Sequence, residues 1–94
     1  MDKETFKRNA KNSIDEIFAE IHKLQEKAKR AEGVTKAKYE EKVVDLKSKM
    51  KDLQAKYDAL ENATEEKWED VKKAFSSASD SIKEGLKKVT SVFK

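Results

Sequence analysis

The side chains of this 94-residue chain that could do chemistry are few and scattered. His22 is its only histidine. Asp15, seven residues before it, and Glu26, four after it, share its face of a helix, the arrangement of a weak surface metal site. An inward-facing carboxylate site of the bundle type would need Glu-x-x-His pairs on facing helices. Position 19, where that glutamate would stand, is Ala19. The plainer reading of His22 is a solvated residue outside the apolar seam. Ser48-Lys49-Met50-Lys51 and Ser91-Val92-Phe93-Lys94 both match the Ser-x-x-Lys spacing of some acyl-transfer enzymes. Two such matches arise readily by chance in a chain this rich in Ser and Lys, and the companion motifs that would activate the hydroxyl are missing. No glycine-rich phosphate loop occurs. The absence of Cys excludes disulfides, Cys-ligated zinc and thiol chemistry. The sequence therefore assigns no catalytic residue, no metal ligand and no cofactor, and a non-enzymatic protein is the expectation.

The elements that would have to position any site are helices. Charged residues make up 44% of the chain and hydrophobic ones 36%, with a mean hydropathy of −0.98, values shared by disordered chains and by highly charged helical ones. The net charge of only +3 and the order of the residues favour helices. Phe6, Ala10, Ile14, Ile17, Ile21, Leu24, Ala28 and Ala31 recur at alternating steps of three and four. They form a heptad seam with Ile14, Ile21 and Ala28 at a and Ile17, Leu24 and Ala31 at d. Phe18, at e, would widen this stripe in the manner of a bundle helix. A second seam runs through Tyr39, Val43, Leu46, Met50, Leu53, Tyr57 and Leu60. A third runs through Trp68, Val71, Phe75, Ala78, Ile82, Leu86, Val89 and Phe93. Strand alternation is missing, and the lack of Pro with only two Gly argues against turn-rich β architecture.

The junctions set the topology. Ala31 to Tyr39 is eight residues where a heptad needs seven, and the slip contains Glu32-Gly33-Val34-Thr35. Gly33 suits the end of one helix and Thr35 can cap the next. At the second junction Asn62-Ala63-Thr64-Glu65 has the shape of an N-cap with its partner acid three residues on, although a continuous helix could absorb the step from Leu60 to Trp68 as a stutter. With both turns, the chain is an all-α, elongated, antiparallel three-helix bundle or coiled coil, one domain over residues 1–94 with helices near 3–31, 35–61 and 64–92. With only the first, it is a long helical hairpin that must dimerise to cover its bare seam. The structural bet rests on Ile14, Ile17, Ile21, Leu24, Val43, Leu46, Met50, Leu53, Leu60, Trp68, Val71, Phe75, Ile82, Leu86 and Val89 as core or interaction residues.

Charge is distributed unevenly. Residues 71–94 hold six Lys and two acids, whereas the first 70 residues hold 16 bases and 17 acids. An apolar stripe flanked by lysines is how a membrane-surface helix is written. It is equally how the third helix of a basic bundle is written, and the first two segments carry equivalent stripes. Lys23 to Lys38 is also basic, but Glu26 and Glu32 interrupt it and no aromatic row accompanies it, which disfavours nucleic-acid binding. Ser76-Ser77-Ala78-Ser79-Asp80-Ser81 is a weak helix former and a local soft spot. No apolar run approaches the ~20 residues of a membrane span. The first residues lack the apolar stretch of a signal peptide, so a cytoplasmic location is the expectation.

Lys3-Glu4-Thr5-Phe6-Lys7, Lys38-Tyr39-Glu40-Glu41-Lys42, Leu53-Gln54-Ala55-Lys56-Tyr57, Glu65-Glu66-Lys67-Trp68-Glu69 and Ala74-Phe75-Ser76-Ser77-Ala78 together resemble the small bacterial coiled-coil-domain stress-response proteins of Bacteroidetes-type genomes. Gly33 departs from the unbroken helix expected there. The resemblance implies a cytoplasmic helical protein linked to stress, with no active site to carry over. Two partner classes follow from the sequence as a whole: a second copy or another helical protein, and an anionic membrane surface reached by the basic C-terminal segment.

Overall fold

A computed structural model describes residues 2–92, the last three by backbone alone. Helix α1 spans Lys3–Arg30. Asp2 starts it: the extended backbone there turns a carboxylate oxygen onto the Thr5 N–H, which donates to it at 2.7 Å. This satisfies one of the N–H groups a helix start leaves orphaned. Lys27, Lys29 and Arg30 in the last turn complement the negative end of the helix dipole. The helix stops at Ala31, whose backbone is extended and whose N–H donates to the carbonyls of Lys27 and Ala28.

Helix α2 spans Gly33–Glu61, starting two residues earlier than Thr35 capping predicts. Glu32 takes the N-cap position without any side-chain cap hydrogen bond, and Thr35 lies inside the first turn. The chain reverses here because Gly33 adopts φ +63°, in the left-handed region where a Cβ would be strained. The far end of α2 is closed by Asn62, whose backbone N–H and side-chain amide both donate to the Asp58 carbonyl, at 3.2 and 2.9 Å. Asn62 therefore caps the helix it follows rather than opening the next one. Thr64 does not open it either. Residues 65–67 form a turn closed by the Lys67 N–H on the Thr64 carbonyl, and helix α3 spans Trp68–Val92, four residues later than expected. Glu69 and Asp70 sit favourably in its first turn.

The three helices fold up, down and up into a body 51 × 17 × 17 Å, with no strand among the described residues. The break at 62–67 excludes the long hairpin, and the third seam packs onto the other two. Thirteen of the fifteen core residues named from the sequence are buried: Ile17, Ile21, Leu24, Val43, Leu46, Met50, Leu53, Leu60, Trp68, Phe75, Ile82, Leu86 and Val89. Ile14 and Val71 are half-buried against the same core. Ala10, Ala28 and Tyr39 complete it. Phe18 does not widen the α1 stripe; it is 61% exposed. One residue on from buried Ile17, it is rotated by ~100° and leaves the contact face. In α3 the seam passes through buried Ser79, with Ala78 only half-buried beside it. Phe93, the last position of the third seam, lies outside the described residues.

Leu53 has no exposed surface and sits mid-way along the second seam. Leu53→Ala should lower unfolding stability by about 2–5 kcal/mol. Leu53→Asp, or Leu46→Asp, should abolish the cooperative melt of helicity, because an unpaired carboxylate cannot be buried there. Circular dichroism melts checks both; melts indistinguishable from the parent would contradict the packing.

Candidate functional site

The residues singled out for chemistry do not converge. His22 stands exposed on α1 with Nε2 3.9 Å from Glu26 Oε1 and no third ligand. Among the described residues no group of three or more His, Cys, Asp or Glu is placed to hold a metal ion. Ser48 and Lys51 are exposed on α2. The second Ser-x-x-Lys match, ending at Lys94, runs beyond the described residues. Every buried side-chain polar atom among the described residues has a hydrogen-bond partner, so no orphaned group points to a bound ligand. Surface ion pairs are short-range helix pairs such as Lys23–Glu20, Lys29–Glu26 and Lys72–Glu69, with 3.2–3.5 Å separations. Such exposed pairs contribute little and mark a solvated surface.

Two features stand out from this background. The first is a clasp at the end of the bundle where α1 and α3 begin and α2 finishes. Phe6 meets the edge of Trp68 at 5.8 Å between centroids and of Phe75 at 6.3 Å. Tyr57 of α2 meets Phe75 at 6.4 Å, also edge-on. Ring pairs at these separations and near-perpendicular angles are favourable beyond the area they bury. Lys3 lies over this group, its Nζ 5.5 Å from the Trp68 ring centroid and 2.9 Å from a Glu65 oxygen. The clasp thus joins the first turns of α1 to the loop and first turns of α3. Its contacts shift three ionisable groups from their ordinary values. The hydrogen bond from Lys3, then its charge, hold the Glu65 carboxyl below its ordinary 4.5. The Thr5 N–H holds Asp2 below 3.8. Burial, and next the Glu61 carboxylate, push the Tyr57 hydroxyl above 10.0.

The second feature is the unequal quality of the helix interfaces. The α1–α2 and α2–α3 contacts are extensive, while α1 and α3 touch over far less of their length. A recess of ≈160 Å³ lies between α1 and α3, lined by Asn9, Ser13, Ser76 and Ser79 with Phe6 and Phe75 at one end. An open groove of ≈750 Å³ runs between α2 and α3 over Leu46, Gly85 and Val89, with Lys38, Lys42, Lys49 and Lys88 alternating with Glu41, Asp45 and Glu84 along its rim. A Cβ at Gly85 would stand 3.4 Å from Leu46 Cδ2, in ordinary contact, so glycine leaves the floor one carbon deeper. Phe18, Val34 and Val44 are the large hydrophobic side chains left exposed among the described residues.

The fifteen residues named from sequence are thus brought together as one core, not as a surface site. The sequence reading missed Asp2 as a cap, Ser79 as a buried seam residue, and Lys3 with Glu65 as a pair bridging 62 positions. Asp2-Lys3-Glu4-Thr5 did carry a capping signal, and Phe75-Ser79-Ile82 carries the spacing of a seam. Nothing local announces Lys3–Glu65. No family model, curated protein or solved structure matches the chain.

Glu65 and Asp2 have depressed folded-state values, so what they contribute to holding this end is present above their ordinary values and is lost as pH falls through the folded ones. Trp68 emission should therefore report loosening of the clasp as pH drops below 4.5. Glu65→Gln should remove the Glu65 portion of that acid response. Superimposable acid titrations of parent and variant would contradict the assignment.

Proposed function

We propose that this protein is a non-enzymatic, cytoplasmic helical interaction protein that acts by self-association or by binding another helical protein. The observation that carries the reading is the division of its apolar residues. The seams face one another within the chain and serve as scaffold, while Phe18 on α1 and Val44 on α2 remain outside at 61% and 69% exposure. The antiparallel register about the turn at 31–33 brings these two to within roughly 3 Å of the same height along the bundle. Exposed apolar side chains at one level, surrounded by charge, suit contact with a second copy. A link to stress rests on the family resemblance alone.

A second reading has its own support. Although Glu69 and Asp70 bring α3 itself to five Lys against four acids, residues 71–94 hold six Lys against two acids and lie mainly on α3, the helix that touches α1 least. This suits an amphipathic protein that binds an anionic membrane surface. No helix among the described residues is long and apolar enough to cross a membrane, so such binding would lie along the surface.

Sedimentation equilibrium over a range of concentrations tests the first reading. Self-association should appear as a rise above 10.8 kDa with concentration. The double variant Phe18→Asp/Val44→Asp should stay monomeric with its thermal melt unchanged. A parent that remains at monomer mass throughout contradicts self-association.

A further inference from the structure

The three interfaces of the bundle are of unequal extent. Along α1–α2 and α2–α3 the rows of Ile, Leu, Val and Met interlock. Along α1–α3, beside the clasp, lies a recess where Asn9, Ser13, Ser76 and Ser79 meet Phe6, Ala10 and Phe75, and the one polar residue buried in the core among those described, Ser79, belongs to it. Such a recess is roomy and polar enough to admit water. Parting α1 from α3 therefore uncouples the least extensive of the three helix contacts. Both chain reversals, at 31–33 and 62–67, are non-helical or left-handed backbone where helices can pivot without breaking. What closes the α1–α3 edge is concentrated at one end, in the Phe6–Trp68–Phe75 rings and the Lys3–Glu65 pair.

We infer that the bundle opens like a book along α1–α3, with α2 as its spine, and that the opened layer lies with its apolar face on an anionic bilayer; this rests on the lipid-surface reading above. Opening turns the seams of all three helices to one side of a single layer. Trp68, Phe75, Ile82, Leu86 and Val89 then trade protein neighbours for acyl chains. Lys72, Lys73, Lys83, Lys87 and Lys88 flank that row and supply the attraction to negative headgroups. The three helices together hold 20 Lys and Arg against 15 Asp and Glu, so the opened layer is basic and favours an anionic surface over a neutral one.

The absence of Cys allows a clean lock. Ser13→Cys with Ser79→Cys places a thiol on each wall of the α1–α3 recess, and Asn9→Cys with Ser76→Cys provides a second, independent pair. Binding is read by co-sedimentation with phosphatidylcholine vesicles containing or lacking phosphatidylserine, and by Trp68 emission. The parent and the reduced pairs should bind the phosphatidylserine vesicles, with binding that weakens as salt rises. The oxidised pairs should bind at least about tenfold more weakly. Lys3→Met, which loosens the clasp and can be made without either pair, should accelerate binding. Equal binding by oxidised and reduced protein, or an unchanged rate for Lys3→Met, overturns the opening while leaving the lipid-surface reading intact. No binding by parent or reduced protein overturns that reading and the inference together.

Discussion

The structure depends on one row of apolar side chains per helix being kept dry by the other two. Ile17, Leu53, Leu60 and Ile82, from α1, α2 and α3, are the largest side chains that reach full burial, and the remaining core residues lie in register with them. A chain with 44% charged residues has little apolar material to work with, so no row can be left facing water. That constraint selects helices of comparable length, 28, 29 and 25 residues, because an overhanging helix would bare its seam. It also keeps the acidic and basic side chains of the described residues out of the core, at the surface, where short ion pairs and helix caps adjust the ends of the helices without defining a reactive centre.

Within that constraint the bundle is asymmetric. α2 serves both neighbours, while α1 and α3 meet over less of their length and are clasped mainly at one end, beside a small recess. All three helices are net basic, α1 most of all with eight bases against five acids, while α3 holds five Lys against four acids. The loosely held α1–α3 edge gives the molecule a direction in which to open, and the basic balance of the helices taken together gives it a charge to meet on opening. The exposed Phe18 and Val44 lie on the other two helices, so contact with a second copy and opening at α3 use different parts of the surface.

Much of this was legible in the residues. The three-and-four spacing identified the core almost completely, since an apolar row at helical period has no other stable use than burial. The eight-residue step from Ala31 to Tyr39 located the first reversal, and Gly33 explains it by its positive φ. The second reversal was harder. Asn62 and Thr64 both look like helix starters, but a side-chain amide can equally close the helix behind it, and Asn62 does so through Asp58. Ser79 was passed over because a single hydroxyl in a run of serines gives no sign of which one turns inward. Phe18 was expected to widen the α1 stripe from heptad position e, but the position following Ile17 points away from the core and Phe18 is exposed. The Lys3–Glu65 pair joins opposite parts of the chain and follows only from the assembled fold. Function was less legible than fold for a related reason: interaction surfaces made of common helical residues carry no distinctive spacing.

Small-angle X-ray scattering, extrapolated to zero concentration, tests the self-covered bundle most directly. The radius of gyration of the Cα atoms is 15.2 Å, above the roughly 12 Å of a near-spherical chain of this length because the body is elongated. The account predicts a measured value close to 15.2 Å, allowing for side chains and bound water, and a longest dimension set by the 51 Å axis. A rod of about 90 Å, the length of α2 and α3 run together as one helix, would contradict it, and so would an expanded chain near 30 Å.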